Sequence, residues 1–315
     1  MYEIPRKNIN IAVFRGGKEN HGKSISEGQS IISNFSKEGI KVNDVYLDDE
    51  GNFIKNGIRV EPHIIFSNVD AYVDTTDHYD KVHHQLASRM GVKNLVSQED
   101  VMPVYVDREG VYRILRQSGI AVPETYVIRV DDNNFIKKIK DVWVKLNTPY
   151  LVRPLNHVSF KSSTLVKSFK DLLDAVSVYH THGYDVHIIS YKSLTTYSTA
   201  VLPDYRGEEY YTPLTVETLL KKHEVPNKES IVRVYLRGDM ETKEKIRNIT
   251  KEVARVLQVK GPVCVDVLLD KNKCVVVNVD LKPSLHQGGR FMLSINSTGC
   301  NIVDYLSKNL EDENS

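Results

Sequence analysis

Gly261-Pro262-Val263-Cys264-Val265-Asp266-Val267-Leu268-Leu269-Asp270-Lys271-Asn272-Lys273-Cys274-Val275-Val276-Val277-Asn278-Val279-Asp280 carries the most structural information in the chain. Two valine-rich runs, Val263 to Leu269 and Cys274 to Asp280, flank the polar connection Asp270 to Lys273 and predict a hairpin. Alternation puts Asn278 and Asp280 on one face of the second strand. With an odd number of residues in the connection, Asp266 faces the same way, about 5 Å from Asn278 between β-carbons. A carboxylate buried between Val265 and Val267 needs a partner. Oxygen ligands at a sheet edge suit Mg²⁺ bridging to nucleotide phosphates; strand-end polar groups meeting water are the plainer alternative.

Upstream of the hairpin, Thr242 to Gln258 carries one apolar stripe (Ile246, Ile249, Val253, Val256, Leu257) and predicts a long helix. Ser198 to Leu202 predicts a strand. A middle region opens near Val96. Its helix, Asp107 to Ser118, is amphipathic through Val111, Ile114 and Leu115 and ends at Gly119. Extended segments at Thr125 to Val130, Tyr150 to Pro154, Lys161 to Lys167 and Val186 to Ser190 surround a helix from Phe169 to Tyr179. The first region runs strand (Ile9 to Phe14), glycine turn (Gly16-Gly17), helix (Ser24 to Lys37), strand (Lys41 to Leu47). That order begins a parallel α/β unit. His63 to Phe66 predicts a further short strand. The expected division is residues 1–96, 97–193 and 194–315.

The 315 residues suffice for two or three closely packed units. With 42 basic and 41 acidic residues the formal charge is +1, which supplies no global electrostatic attraction to nucleic acid or an anionic membrane. No apolar run approaches the roughly 18–20 residues that cross a bilayer, and Met1 to Asn10 lacks a leader's apolar stretch. The expectation is a cytoplasmic protein with no nucleic-acid or membrane partner. The three cysteines, Cys264, Cys274 and Cys300, have neither metal-ligand nor disulfide-framework spacing.

Three further segments could carry chemistry. Arg153 ends a strand before the serine-rich stretch Leu155 to Ser163, where charge and hydroxyls could hold phosphate, although no glycine lets backbone approach it closely. Gly16-Gly17 permits a tight turn into a helix N-terminus able to face an anion; a structural turn explains it equally. His78, His83 and His84 cluster without a matching Cys or carboxylate spacing, and a solvated helical face accounts for them.

Taken in order, these segments resemble D-alanine–D-alanine ligases along nearly the whole chain. Ile11-Ala12-Val13-Phe14-Arg15-Gly16-Gly17-Lys18 is similar to that family's opening strand and glycine turn. Asp107-Arg108 followed by Leu115 and Gly119-Ile120-Ala121-Val122-Pro123 resembles its entry into the central domain. Tyr150 to Ser163 stands where the family has its grasp loop, and Gly261 to Pro283 matches its closing hairpin. The resemblance implies an α/β ATP-grasp fold behind an N-terminal parallel α/β domain. It also implies a ligase using ATP and Mg²⁺ to join small amino-acid substrates through an acyl phosphate, as in peptidoglycan precursor synthesis, and commonly dimeric. By the same resemblance His21, Ser24 and Ser159 are catalytic. Arg108, Arg153, Lys161, Ser162, Ile189 and Tyr191 line the nucleotide, and Asp266, Asn278 and Asp280 hold the metal.

The departures from the family are also specific. Arg108 and Arg153 stand for two nucleotide lysines, keeping charge but changing reach. Val158, Phe160 and Ser162 replace glycine and serine in the grasp loop. Ile189 and Thr196 replace two acidic residues at the adenosine, and Asn20 replaces a substrate-orienting glutamate. The histidine-glycine motif expected near Asp70-Ala71 is absent. Cys264 stands where an arginine stabilises the tetrahedral intermediate, and the Glu-x-Asn metal pair reads Asn278-x-Asp280. Lys161, Lys282, His286 and Arg290 are cations placed to compensate. The resemblance thus leaves a second expectation, a binding or regulatory protein on the same scaffold.

Overall fold

The computed structural model describes residues 9–17, 21–76, 81–96, 108–132, 134–146, 149–155, 163–192, 194–219, 231–271 and 273–311. Three sheets follow one another along the chain. In the first, β1 (Asn10–Gly16) is the inner strand, and its Ile11, Ala12 and Val13 are fully buried. It lies parallel to both β2 (Lys41–Leu47) and β5 (Ala71–Asp74). Burial on both faces explains the unbroken apolar run. The hairpin β3 (Phe53–Lys55) and β4 (Ile58–Arg59) extends one edge, and β6 (Lys93–Asn94) the other. Helix α1 (His21–Lys37) crosses from β1 to β2 and begins three residues before the apolar pattern does.

The segment expected as a strand at His63 to Phe66 is instead helix α2 (Pro62–Phe66). Pro62 fits the first turn, where its missing N–H costs nothing. Ile65 and Phe66 are both buried and His63 and Ile64 both exposed, which one helical turn allows and strand alternation does not. Helix α3 (Lys81–Arg89) completes this unit. The expected solvated face for its histidines does not hold: His84 is buried against Tyr72, and His83 sits edge-on to Phe53. His78 lies outside the described residues.

Helix α4 (Arg108–Gln117) opens the middle of the chain. The second sheet is antiparallel in the order β7 (Thr125–Ile128), β10 (Val186–Ser190), β8 (Tyr150–Pro154), β9 (Thr164–Val166). Helices α5 (Phe135–Lys145) and α6 (Phe169–Thr181) cover it, and α6 starts with a Ser168–Asp171 capping box. The third sheet runs β14 (Ile231–Val234), β13 (Val216–Leu219), β11 (Thr196–Tyr205), β15 (Val263–Asp270), β16 (Lys273–Asp280). The short strand β12 (Glu208–Tyr211) pairs with β11. Helix α7 (Met240–Val256) packs Ile246 and Val253 of its predicted stripe, together with Ala254, into the core, with Ile249 and Val256 partly buried, and α8 (Arg290–Asn296) and α9 (Ile302–Glu311) follow.

Two apolar clusters weld the units together. Ile11, Val13, Phe35 and Val73 of the first pack with Leu202, Phe291, Ile295 and Leu306 of the third. Val111 and Leu115 of α4 pack with Val253, Val263 and Val276. Each such fully buried side chain contributes roughly 1.5–3 kcal/mol. The first unit and α4 are thereby each fixed to the third unit.

Candidate functional site

The hairpin meets the geometric condition set by its sequence, by an unexpected route. The strands end at Asp270 and restart at Lys273, a spacing that alone would put Asp266 and Asn278 on opposite faces. A register shift after Asp266 restores them: Val267 pairs with Val276, Asp266 with Asn278 and Cys264 with Asp280, leaving Val277 as a bulge. The carbonyl of Val277 accepts a 2.5 Å hydrogen bond from the Tyr112 hydroxyl on α4. The bulge therefore aims three polar residues at one face and ties them to the helix carrying Arg108.

Asp266 is 3% exposed and accepts three hydrogen bonds. Its Oδ1 accepts from the Ser198 hydroxyl at 2.6 Å. Its Oδ2 accepts from Arg290 Nη1 at 3.0 Å and from Asn278 Nδ2 at 3.2 Å. Asp280 is pushed up to about 6 by burial and then by the neighbouring Asp266 charge, and its Oδ1 takes the Lys282 backbone N–H at 3.2 Å. Burial pushes the Cys264 thiol well up, so it is neutral at pH 7. The expected metal residues Asp266, Asn278 and Asp280 are thus brought together but do not fit a magnesium ion as they stand. Mg²⁺ requires oxygen lone pairs in near-octahedral array, and Asp266 Oδ2 already accepts from two protein donors, one of them the Arg290 cation. Among the described residues no group of three His, Cys, Asp or Glu side chains could hold a metal.

Two guanidinium groups lie near one another, Arg108 at the start of α4 and Arg153 on β8. Arg153, at the end of β8, is 4% exposed, and its Nε has no hydrogen-bond partner. Its pKa falls to about 10, first through burial and second through the positive charge of Arg108. Arg108 also lies within electrostatic reach of Asp280. Beside Arg153 on the neighbouring strand stands His187, fully buried, with Nε2 3.1 Å from Glu109. Burial holds His187 at about 4, hence neutral, and its Nδ1 has no partner. Arg153 thus combines a buried charge, an unpartnered Nε and a like charge beside it, an arrangement that an anion would stabilise.

The remaining expected residues are placed as follows. Ser24 is buried; its hydroxyl accepts the Gly16 N–H at 3.0 Å and lies 3.2 Å from Thr75 Oγ1. His21 opens α1 with Nδ1 3.0 Å from the Gly17 carbonyl. Gly16 has φ +99°, and a β-carbon there would lie 2.5 Å from the Leu47 carbonyl, so the turn requires glycine. Ile189 on β10 is buried and apolar, and Thr196 at the start of β11 is buried. Tyr191 is held to Pro149 by its backbone, its phenol pushed up to about 12 by burial. Ser159, Lys161 and Ser162 lie outside the described residues.

Sequence reasoning missed the contacts that clamp the first unit to the third. Lys282 Nζ lies 2.9 Å from Asp74 Oδ2 and donates to the Thr76 carbonyl at 2.6 Å. Asp74 also takes the Thr76 N–H and hydroxyl, and stands 3.7 Å from His84 Nε2. On α1, buried Glu27 accepts from the Leu285 backbone N–H and the Ser284 hydroxyl. One signal was legible: Ser24, Glu27 and Ile31 share a helical face, so Glu27 interrupts a stripe that turns inward.

A parallel α/β unit followed by two antiparallel sheets, the second ending in the β15–β16 hairpin, is the ATP-grasp architecture. Within that class the fold is that of the D-alanine–D-alanine ligases. The chain matches VanG D-Ala:D-Ser ligase from Enterococcus faecalis over 97% of its length and 99% of that chain, with TM-score 0.79 and 16% identity. D-alanyl-alanine synthetase A from Vibrio cholerae matches at TM-score 0.80 and 12% identity, over 97% and 98% of the two chains. D-alanine–D-alanine ligase from Bacillus anthracis complexed with ATP matches at 0.75 and 17%, over 98% and 99%. No family model matches the chain, and no curated protein matches it in sequence. Among the described residues no helix is long and apolar enough to cross a membrane.

Proposed function

We propose that this chain is an ATP-dependent carboxylate–amine ligase acting on small amino acids. The observation that carries the reading is the pair Arg108 and Arg153. Burying Arg153 beside a second guanidinium disfavours the ligand-free protein, and a polyphosphate between them would relieve that repulsion. Arg108 and Arg153 would hold the phosphates, with Ile189 and Tyr191 against the nucleoside. The structural neighbours include a ligase solved with ATP and ligases named for D-alanine and D-serine, which supports the same substrate class here.

In this reading one substrate carboxylate takes the terminal phosphoryl group of ATP, and the amine of a second amino acid displaces phosphate from the acyl phosphate. The protein's share is positioning and charge. Gly16-Gly17, Ser24 and His21 shape the side of the cleft that receives the first substrate. The positive charge that Cys264 cannot supply comes from Arg290 at the head of α8. The resemblance implies Mg²⁺, but the donors on Asp266 Oδ2, above all the Arg290 cation, oppose it.

A second reading, nucleotide binding without ligation, is favoured by one observation: the neutral, buried Cys264 at the position of the family's intermediate-stabilising arginine. Calorimetric titration with ATP followed by a screen of amino-acid pairs for ADP release separates the two. Pair-dependent ADP release supports the ligase. ATP binding with no ADP release from any pair supports the binding protein, and no binding at millimolar ATP sinks both.

A further inference from the structure

The donors around Asp266 come from three separately anchored elements. Ser198 projects from β11, directly opposite Asp266 on β15. Asn278 projects from β16, opposite Asp266 on its other side. Arg290 opens α8, which is not a loose appendage: Phe291, Met292 and Ile295 are buried in the cluster joining the first and third units. Ser294 in the same helix accepts the Ala200 N–H at 3.1 Å and donates to the Leu214 carbonyl at 2.7 Å, pinning α8 to the strand that carries Ser198. The Arg290 guanidinium lies 3.0 Å from Asp266 Oδ2 and 3.4 Å from Ser198 Oγ.

We propose that Arg290 is the resident cation of the Asp266–Asp280 carboxylate pair, standing where a divalent ion would otherwise be bound and excluding it. Three features support this. Asp266 accepts three hydrogen bonds, two of them on Oδ2, so a metal would meet only the remaining lone pair of Oδ1, beside the Arg290 charge. The Asn278 amide presents its nitrogen to the carboxylate, where a metal would require the amide oxygen, in keeping with a site organised around donors. The guanidinium adds fixed positive charge within hydrogen-bonding distance of the oxygen that a dication would need, and like charges repel strongly at that range. An arginine delivered by a packed helix costs the site no ion from solution. Its charge remains available to a phosphate group arriving on the solvent side, since the side chain is 29% exposed.

The consequence is a protein whose carboxylate cluster ignores divalent metal until Arg290 is removed. The inference rests on the carboxylate geometry and not on the ATP reading, and the test uses no nucleotide, so either can fail alone. Mn²⁺ is titrated into the full chain at pH 7.5 and free ion is followed by electron paramagnetic resonance. The native protein should show no stoichiometric site at micromolar Mn²⁺. Arg290→Ala should gain one site, at least tenfold tighter than any native binding, and Arg290→Ala with Asp266→Asn should lose it. The thermal midpoint of Arg290→Ala should rise on adding Mn²⁺ while the native midpoint stays. If the alanine variant does not fold, Arg290→Lys, with a shorter cation, should show a smaller gain in the same titration. A native Mn²⁺ site that Asp266→Asn abolishes, with unchanged affinity in the Arg290 variants, would overturn the proposal. So would Arg290 variants that gain no site.

Discussion

Replacing Arg153 with methionine should make the ligand-free protein more stable and less able to bind ATP. The charge at Arg153 sits 4% exposed on β8, its pKa brought down to about 10 by burial and by Arg108. That depression corresponds to roughly 3 kcal/mol of folding energy spent on keeping the guanidinium charged at pH 7. Methionine matches its length and flexibility and removes the charge, so most of that cost should return. Against it stands the loss of favourable interaction with Tyr112, the group that partly supports the guanidinium. The net expectation is a gain of about 1–3 kcal/mol. The chain's one tryptophan, Trp143, packs edge-on against Tyr150 and Phe169 in the same unit, so urea melts followed by its fluorescence report on the right place. In parallel, calorimetry should show ATP affinity reduced at least a hundredfold. A variant that is less stable than the native chain and still binds ATP would refute the reasoning, because Arg153 would then be a structural cation.

Buried His187, held at about 4, makes the fold acid-sensitive. Its depressed pKa means the stability it allows is complete above about 6.5 and is lost as pH falls toward 4, by about 3 kcal/mol in all. Urea melts at pH 7.5, 6 and 5 should show that loss, and His187→Gln, which cannot titrate, should flatten it; equal slopes would disprove the assignment. Asp74→Ala leaves Lys282 nearly buried without its carboxylate and should cost roughly 3–5 kcal/mol, while Asp74→Ala with Lys282→Met should recover most of it. Equal stability of the single and double variants would show that the pair does not clamp the units. Gly16→Ala should destabilise by several kcal/mol, about 2 or more, through the Leu47 carbonyl clash and the positive φ, measurable as a lowered thermal midpoint.

The parts of this fold that the sequence discloses are those whose cause is local. Ile11 to Phe14 is a continuous apolar run because β1 is covered on both faces, and the α7 stripe survives intact because one side of that helix meets the sheet. The order of such elements, with Gly16-Gly17 at the first turn, was enough for the architecture. What stayed hidden has its cause at a distance. The Val277 bulge depends on a hydroxyl contributed 165 residues earlier by Tyr112, and no pattern within the hairpin announces it. Asp266 meets Arg290 and Ser198 only because α8 and β11 converge. The neutrality of His187 follows from burial beside Arg153, a strand pairing that spacing alone does not give. His63 to Phe66 failed for a different reason: four residues are too few for one period to exclude the other.

The departures around the hairpin are better understood as one coupled rearrangement than as separate losses. Cys264 faces Asp280 across the hairpin, and Asp266 faces Asn278. Moving the acid of the partner strand from the place beside Asp266 to the place beside Cys264 separates two carboxylates that would otherwise be direct neighbours. An arginine at 264 would then pair with Asp280; a neutral thiol does not, and Asp280 rises to about 6 instead. Meanwhile the cation enters from α8 and pairs with Asp266. Restoring Cys264→Arg alone would therefore set a second guanidinium beside the first in a space that now holds a buried thiol, adding bulk and repulsion together. Relief requires that Arg290 leave at the same time. The two positions should thus behave non-additively, with Cys264→Arg strongly destabilising in the native background and tolerated when Arg290→Ala accompanies it.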